Sequence, residues 1–142
     1  MTPLLIKPGV MNKAQENKRF MLEYYRVLSG HEKTLEKVNR FVADPKLRDH
    51  ILFFEKVFPK YELIPDEMIA EDDRVFVRAH LKGKQTTPLK EGLPPTLSEV
   101  KTPFALCYKI ENGKIVDHWM IADQLELLEQ LGLLRKPEDA LF

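Results

Sequence analysis

The first half of the chain carries apolar residues at helical spacing. Apolar side chains recur every three or four residues through three successive segments, at residues 12–28, 31–41 and 46–58. A Ser-Gly pair ends the first segment, Asp44–Pro45 interrupts the chain after the second, and Pro59 ends the third. This pattern predicts three consecutive helices.

The second half of the chain changes to the two-residue alternation of a β-sheet. In RVFVRAHLKG, valine, alanine and leucine alternate with a second set of residues that includes Phe76, Arg78 and His80. Such alternation places the two sets on opposite faces of a strand. Segments of this kind predict four strands, over residues 61–70, 74–83, 100–110 and 114–122.

Turn and breaker residues add detail to this pattern. Asn112–Gly113 is the strongest short hairpin signal, because both central residues of that turn need a positive φ angle. Residues 84–99 contain three prolines and one glycine, which predicts a long hairpin loop. Pro65 predicts an edge strand or a bulge. A final helix is predicted to begin near Asp123.

The order of these elements indicates a fold class. Helices that come first and hairpins that follow are typical of an α+β domain, in which the helices pack on one face of a curved sheet. A chain of 142 residues is the size of one domain. We therefore expect a loose arm over residues 1–11 and a single domain over residues 12–142.

The composition argues against several kinds of partner. Lys plus Arg number 22 and Asp plus Glu number 22, so the formal charge is zero. Proteins that bind nucleic acid or dock on anionic membranes normally carry a basic excess, so neither partner is expected. The one cysteine, Cys107, excludes an intrachain disulfide. No segment resembles a transmembrane span or a signal peptide, and the cytoplasm is the expected compartment.

Asp123 has two interpretations from the residues alone. Glu126 follows it at the spacing of a capping box, just before an apolar run, so Asp123 can be a helix cap. In a regular strand it would also share a face with Trp119, unless a bulge breaks the register. A carboxyl that is desolvated in a cavity can act as a general acid or base. Both interpretations stay open.

Arg78 and His80 are the second pair of candidates. They lie on one face of the predicted strand, with Phe76 as their apolar neighbour. This face is either solvated or lines the interior of the domain. If it lines the interior, a His–Asp pair can move a proton, because histidine titrates near neutral pH and a carboxylate fixes its tautomer.

Three further residues are candidates for binding a ligand. Trp119 and Tyr24 can line a pocket for a flat apolar molecule, and His50 lies on the third predicted helix. Core packing is the alternative for Trp119, and partial burial on a helix surface is the alternative for His50. The four histidines lack the spacing of a metal site, and no phosphate-binding loop or nucleophile elbow is present, so neither a metal nor a cofactor is expected.

Several local motifs resemble one protein family. The segment ENGKIVDHWMIADQLELLEQLG, residues 111–132, together with Phe58–Pro59 and EDDRVFVRAHLKG, is similar to the SnoaL-like polyketide cyclases of the nuclear transport factor 2-like superfamily. The family pattern reads D-G-K-I, an acidic residue, any residue, W, three residues, D, and later Q-L-G. Asp117, Trp119 and Asp123 match this pattern, and Asn112 replaces its first Asp.

The resemblance implies both a fold and a chemistry. It implies a cone-shaped domain over about residues 12–134, with N-terminal helices packed on a curved antiparallel or mixed sheet. It also implies that Asp123 is the acid/base of a cofactor-free cyclase or isomerase acting on a small lipophilic, polyketide-like carbonyl substrate. In this hypothesis Arg78 and His80 steady the enolate oxygen or hold Asp123, while Phe76, Trp119, Tyr24 and His50 contact the substrate.

The same fold carries other functions, so alternatives remain. One is a non-catalytic protein that binds a lipophilic ligand in the same pocket. Another is an interaction protein that forms a homodimer through its sheet. The chain also departs from the family pattern at Gly83–Lys84–Gln85 and at Leu97, near the expected mouth of the cone.

Overall fold

The computed structural model describes residues 11–89 and 96–133. The predicted arm, residues 1–11, lies outside this part of the chain except for Met11. The centre of the predicted 84–99 loop and the C-terminal end of the predicted domain also lie outside it. The elements in chain order are α1 (Lys13–Leu28), α2 (Leu35–Phe41), α3 (Pro45–Val57), β1 (Glu62–Glu71), β2 (Arg74–Lys84), β3 (Glu99–Glu111), β4 (Lys114–Ala122) and α4 (Gln124–Gln130).

Polar caps define the starts of the helices. Asn12 and Gln15 form a capping box at α1. Thr34 accepts a hydrogen bond from the Lys37 amide at 3.2 Å, so α2 begins later than the sequence predicts. Asp44 caps α3, whose first residue is a proline, a residue preferred at that position. Local chemistry of this kind explains why three helices were predicted with small errors at their ends.

The four strands form one antiparallel sheet in the order β1-β2-β3-β4. The hairpin between β3 and β4 turns at Asn112 and Gly113, whose φ angles are 51° and 72°, as its sequence predicts. The register of β1 shifts between Pro65 and Glu67, which confirms the predicted bulge. The α+β fold, with helices followed by an antiparallel sheet, is therefore confirmed.

The side chains on the two faces of β2 differ in burial and polarity. Val75, Val77, Ala79 and Leu81 of β2 are buried against the helices. Their neighbours Arg74, Phe76, Arg78 and His80 lie on the other face, as the alternation predicts. We call the helix-covered face the concave face and the other the convex face. The concave face and the helices α1, α2 and α3 enclose the core.

A second bulge changes the register of β4. The pairing of β3 with β4 shifts next to Ile110, which lies opposite Ile115. Ile115 is fully buried, and beyond the bulge His118 and Met120 take the inward positions. Trp119 therefore points to the convex face, away from Ile115, because a bulge of the kind that the sequence analysis allowed breaks the register of this strand. Among the described residues, no helix has the length and apolar character needed to cross a bilayer.

Candidate active site

A cavity of about 270 Å³ lies between the concave face of the sheet and the helices α1, α3 and α4. Most of its wall is apolar and comes from inward positions of all four strands, such as Leu63, Leu81, Leu106 and Met120. Polar groups are few. They are contributed by Tyr24, His50, Tyr61, Thr102, Tyr108, Asp123 and Gln124. A largely apolar cavity with a few polar groups is the usual form of a small-molecule site.

Asp123 lies at the mouth of this cavity, where β4 ends and α4 begins. Its Oδ1 accepts a hydrogen bond from the Glu126 amide at 2.9 Å, so it caps α4. The residue is exposed to solvent, yet it also lines the cavity. Asp123 can therefore be both a helix cap and a residue of the cavity, because β4 ends at Ala122 and the next residue lies beside the opening.

The structure divides the other predicted site residues into two groups. Tyr24 of α1 and His50 of α3 line the cavity together with Asp123. Arg78 and His80 lie on the convex face, where Arg78 Nε is 3.9 Å from Glu67 and His80 Nδ1 is 2.9 Å from Asp66. The structure does not bring Arg78 or His80 to Asp123, which corrects that expectation.

Phe76 and Trp119 also lie on the convex face. Their ring centroids are 6.0 Å apart across the sheet. Neither residue is part of the cavity wall. The alternation of β2 places Phe76 opposite the valines that pack against the helices, and the bulge in β4 places Trp119 on the same outer face.

A buried hydrogen-bonded pair that sequence reasoning missed lies on the helix-covered side of the sheet. Nδ1 of His118 is 2.6 Å from Oδ2 of Asp44, and both side chains are largely buried. Asp44 also accepts a hydrogen bond from the Lys46 amide at 2.9 Å. Burial alone would raise the pKa of Asp44, but the hydrogen bond from His118 and the helix amides outweigh it, so its pKa is lowered. This pair ties the start of α3 to β4.

The comparisons with known proteins identify the family. The family model described as SnoaL-like polyketide cyclase matches residues 31–131. The chain belongs to this family. The comparison with curated proteins gave no match.

Solved structures similar to this SnoaL-like chain share its fold. AclR from Streptomyces galilaeus, provisionally named a hydroxylase, is 22% identical with a TM-score of 0.73, covering 90% of this chain and 88% of its own. A protein from Jannaschia sp. CCS1, provisionally named a SnoaL-like polyketide cyclase, is 17% identical with a TM-score of 0.71, covering 88% and 97%. A SnoaL-like polyketide cyclase from Agrobacterium tumefaciens is 18% identical with a TM-score of 0.67, covering 86% and 100%.

His50 is the histidine of the SnoaL-like cavity. Its ring lies over Phe54, with centroids 4.5 Å apart. Burial lowers its pKa, and the nearby His118 lowers it further. His50 is therefore a neutral imidazole at neutral pH, which donates a hydrogen bond from one ring nitrogen and accepts one at the other. Within the described part of the chain, no three potential metal ligands come together.

The stability of the protein is expected to fall below pH 6.5 because of His50. Its folded pKa lies below the ordinary value of 6.5, so the unfolded chain binds more protons as the pH falls through that value. Urea unfolding at pH 7 and pH 5 measures the loss. The variant His50→Gln should show a smaller loss than the wild type, and His31→Gln, which changes an exposed histidine, should match the wild type. An equal loss in all three proteins would contradict the assignment.

Proposed function

We propose that this SnoaL-like protein is a cofactor-free general acid/base enzyme. It removes a proton next to the carbonyl group of a small lipophilic substrate, as a cyclase or isomerase does. The position of Asp123 carries the proposal, because this residue lies at the mouth of a largely apolar cavity. Membership of the SnoaL-like polyketide cyclase family supports the same general class of chemistry.

The hydrogen bond from the Glu126 amide leaves the Asp123 carboxylate able to act as a base. The Glu126 amide holds Oδ1 and so fixes the orientation of the carboxylate. Among the described residues, this is the one hydrogen bond that the carboxylate accepts, which leaves Oδ2 for a substrate. Deprotonation of the carbon next to a carbonyl moves the proton to the carboxylate and the negative charge to the carbonyl oxygen. The enolate then attacks or rearranges, and the carboxylic acid returns the proton.

The size of the cavity supports a small substrate. Its volume of about 270 Å³ is near the lower end of the range for small-molecule sites. Leucine, isoleucine and phenylalanine side chains form much of the wall and would shield a bound ligand from water on those sides. Electrostatic interactions are stronger in such surroundings than in water, which favours charge stabilisation during the reaction.

A second candidate is a binding protein that performs no chemistry. The observation that favours it is the capping hydrogen bond of Asp123, together with the exposure of this residue to solvent. In that case the apolar cavity holds a lipophilic molecule and Asp123 stabilises α4 alone. Both candidates share the cavity and the small lipophilic ligand.

The test of the enzyme proposal is exchange of hydrogen for deuterium next to a carbonyl. Small β-keto esters and cyclic ketones are incubated with the protein in D₂O, and NMR follows the loss of the α-hydrogen signal. Acceleration over buffer supports the acid/base enzyme. Binding of these compounds without any acceleration across the panel would favour the binding protein.

We also propose that the protein forms a homodimer through the convex face. Ile69, Phe76, Cys107 and Trp119 form one row across the four strands, and Ile121 lies in the next row. Trp119 is 44% exposed and Ile121 is 67% exposed. Ile69, at the other end of the row from Trp119, is also exposed, whereas Cys107 between them is buried. Exposed apolar residues grouped on one face are typical of an interface between subunits.

A charge on the convex face is therefore expected to dissociate the dimer. Trp119→Glu places a carboxylate in the centre of the apolar row, which opposes its burial against a second copy. Sedimentation velocity at micromolar concentration should show a dimer for the wild type and a monomer for the variant. Leu35→Glu is the matched control, because Leu35 is a comparably exposed apolar residue on α2. A monomeric wild type would contradict the proposed dimer.

A further inference from the structure

Thr102 is a second polar residue at the same end of the cavity as Asp123. It lies on β3, lines the cavity and is 7% exposed. Phe104, two residues further along β3, pairs with Ala122, the last residue of β4. Because the two strands are antiparallel, Asp123 lies one residue step beyond this pair on the side of Thr102. Regular strand spacing over that step puts the two α-carbons roughly 6 Å apart.

Both ends of α4 are tied to this corner of the cavity. Asp123 caps the start of the helix. At the other end, the side-chain amide of Gln130 forms two hydrogen bonds with the backbone of Lys101, the residue before Thr102. The Lys101 amide donates to Oε1 at 2.7 Å, and Nε2 donates to the Lys101 carbonyl at 2.8 Å. These contacts hold Thr102 and Asp123 at one opening.

The hydroxyl of Thr102 is available to a ligand. Within the described part of the chain it forms no hydrogen bond, whereas the Thr34 hydroxyl caps α2 and the Thr96 hydroxyl donates to Gln85. A threonine hydroxyl has one proton to donate. A largely buried hydroxyl without a partner costs free energy, which a ligand oxygen at hydrogen-bond distance would recover.

We propose that Thr102 binds the carbonyl oxygen of the substrate, donating a hydrogen bond from its hydroxyl while the adjacent α-carbon lies toward Asp123. This inference rests on the proposed function, since the bound molecule is the carbonyl compound whose proton Asp123 removes. It gives Thr102 the role that the sequence suggested for Arg78 and His80, which lie on the convex face.

The spacing of the two residues suits one small molecule. The α-carbon and the oxygen of a carbonyl compound are about 2.4 Å apart, and the group contacting each of them lies about 3 Å away. A proton acceptor and an oxygen donor on neighbouring positions can therefore serve the same carbonyl. Because both polar groups lie at the mouth, the apolar part of the substrate points inward, toward the paired residues Leu106 and Met120. The substrate class is a compact ketone or ester with its carbonyl group at one end.

The test uses two probes that differ in one atom. Acetophenone carries a carbonyl oxygen, and α-methylstyrene has a CH₂ group in its place. Thr102→Val replaces the hydroxyl with a methyl group of similar size. It should weaken acetophenone binding by about fivefold and leave α-methylstyrene binding unchanged, because one neutral hydrogen bond is lost. Thr102→Ser keeps the hydroxyl and should retain the preference for acetophenone. Equilibrium dialysis with ultraviolet detection measures both affinities, and thermal unfolding checks that each variant is folded.

The outcomes separate this inference from the proposed function. Equal acetophenone affinity in the wild type and Thr102→Val overturns the carbonyl site, as does failure of the wild type to bind acetophenone at millimolar concentration. An equal loss for both probes also overturns it, because that result reports a change of shape rather than a lost donor. A loss confined to acetophenone supports the site. If the wild type then shows no α-hydrogen exchange, the carbonyl site stands and the enzyme proposal fails, because binding requires no proton transfer.

Discussion

Replacing Asp123 with asparagine is expected to slow α-hydrogen exchange of enolisable substrates by about 10²–10⁴-fold. The change removes the proton-accepting carboxylate from the mouth of the cavity. Asparagine caps helices about as well as aspartate, so its side-chain oxygen can still accept the Glu126 amide. The helix α4 should therefore stay in place, and the loss of rate should come from the missing base alone.

Asp123→Ala is the companion variant that separates the base from the cap. Alanine removes both functions, so it should lose the same rate and also lose about 1 kcal/mol of unfolding free energy. The measurements are the exchange rate by NMR and the free energy of unfolding in urea. If Asp123→Asn retained the wild-type rate while Asp123→Ala lost stability, Asp123 would be a helix cap and the enzyme proposal would be wrong.

Filling the cavity is expected to weaken ligand binding strongly under both proposed functions. Ala122 is the last residue of β4 and lines the cavity beside Asp123. The variant Ala122→Phe places a phenyl group in a space of about 270 Å³, which removes the volume that a small ligand needs. We expect the affinity for nitrobenzene to fall by about a hundredfold or more, equivalent to roughly 2.7 kcal/mol.

The neighbouring residue supplies the control for this experiment. Ile121 lies on the convex face and is 67% exposed, so Ile121→Phe adds a phenyl group one residue away without entering the cavity. Equilibrium dialysis of nitrobenzene compares the two variants with the wild type. An unchanged affinity in Ala122→Phe would show that the ligand binds elsewhere.

The secondary structure could be predicted because its signals are local. The apolar spacing of α1, the proline that ends α3 and the Asn112–Gly113 turn each act within a few residues. The family motif around Trp119 and Asp123 is local as well. These features depend on backbone sterics and capping, which are the same wherever the segment lies in the fold.

The position of the cavity could not be predicted in the same way. The alternation in β2 correctly separated Val75 and Val77 from Arg78 and His80. Alternation alone does not show which of the two sets faces the cavity. Which face is covered depends on where α1 and α3 pack, and that is a contact between distant parts of the chain. Arg78 and His80 were therefore predicted to accompany Asp123, but the structure places them on the face of the sheet away from the cavity.

The residues that sequence reasoning missed were separated along the chain. Asp44 and His118 are 74 residues apart and meet because β4 passes the start of α3. Tyr25 and Tyr108 are 83 residues apart, and their hydroxyl oxygens are 2.7 Å apart. Neither pair has a spacing motif. The Asp44–Pro45 dipeptide predicted a break after the second helix, and nothing beside it indicated that His118 would form a hydrogen bond with Asp44.

The amino-acid sequence by itself determined the helices, the strands, the hairpin and the family, because these follow from periodicity, turn chemistry and short motifs. Only the tertiary structure decided which face of the sheet encloses the cavity and which polar groups enter it. The bulge in β4 places His118 and Met120, rather than Asp117 and Trp119, on the same face as Ile115, and the packing of the helices selects the face that is buried.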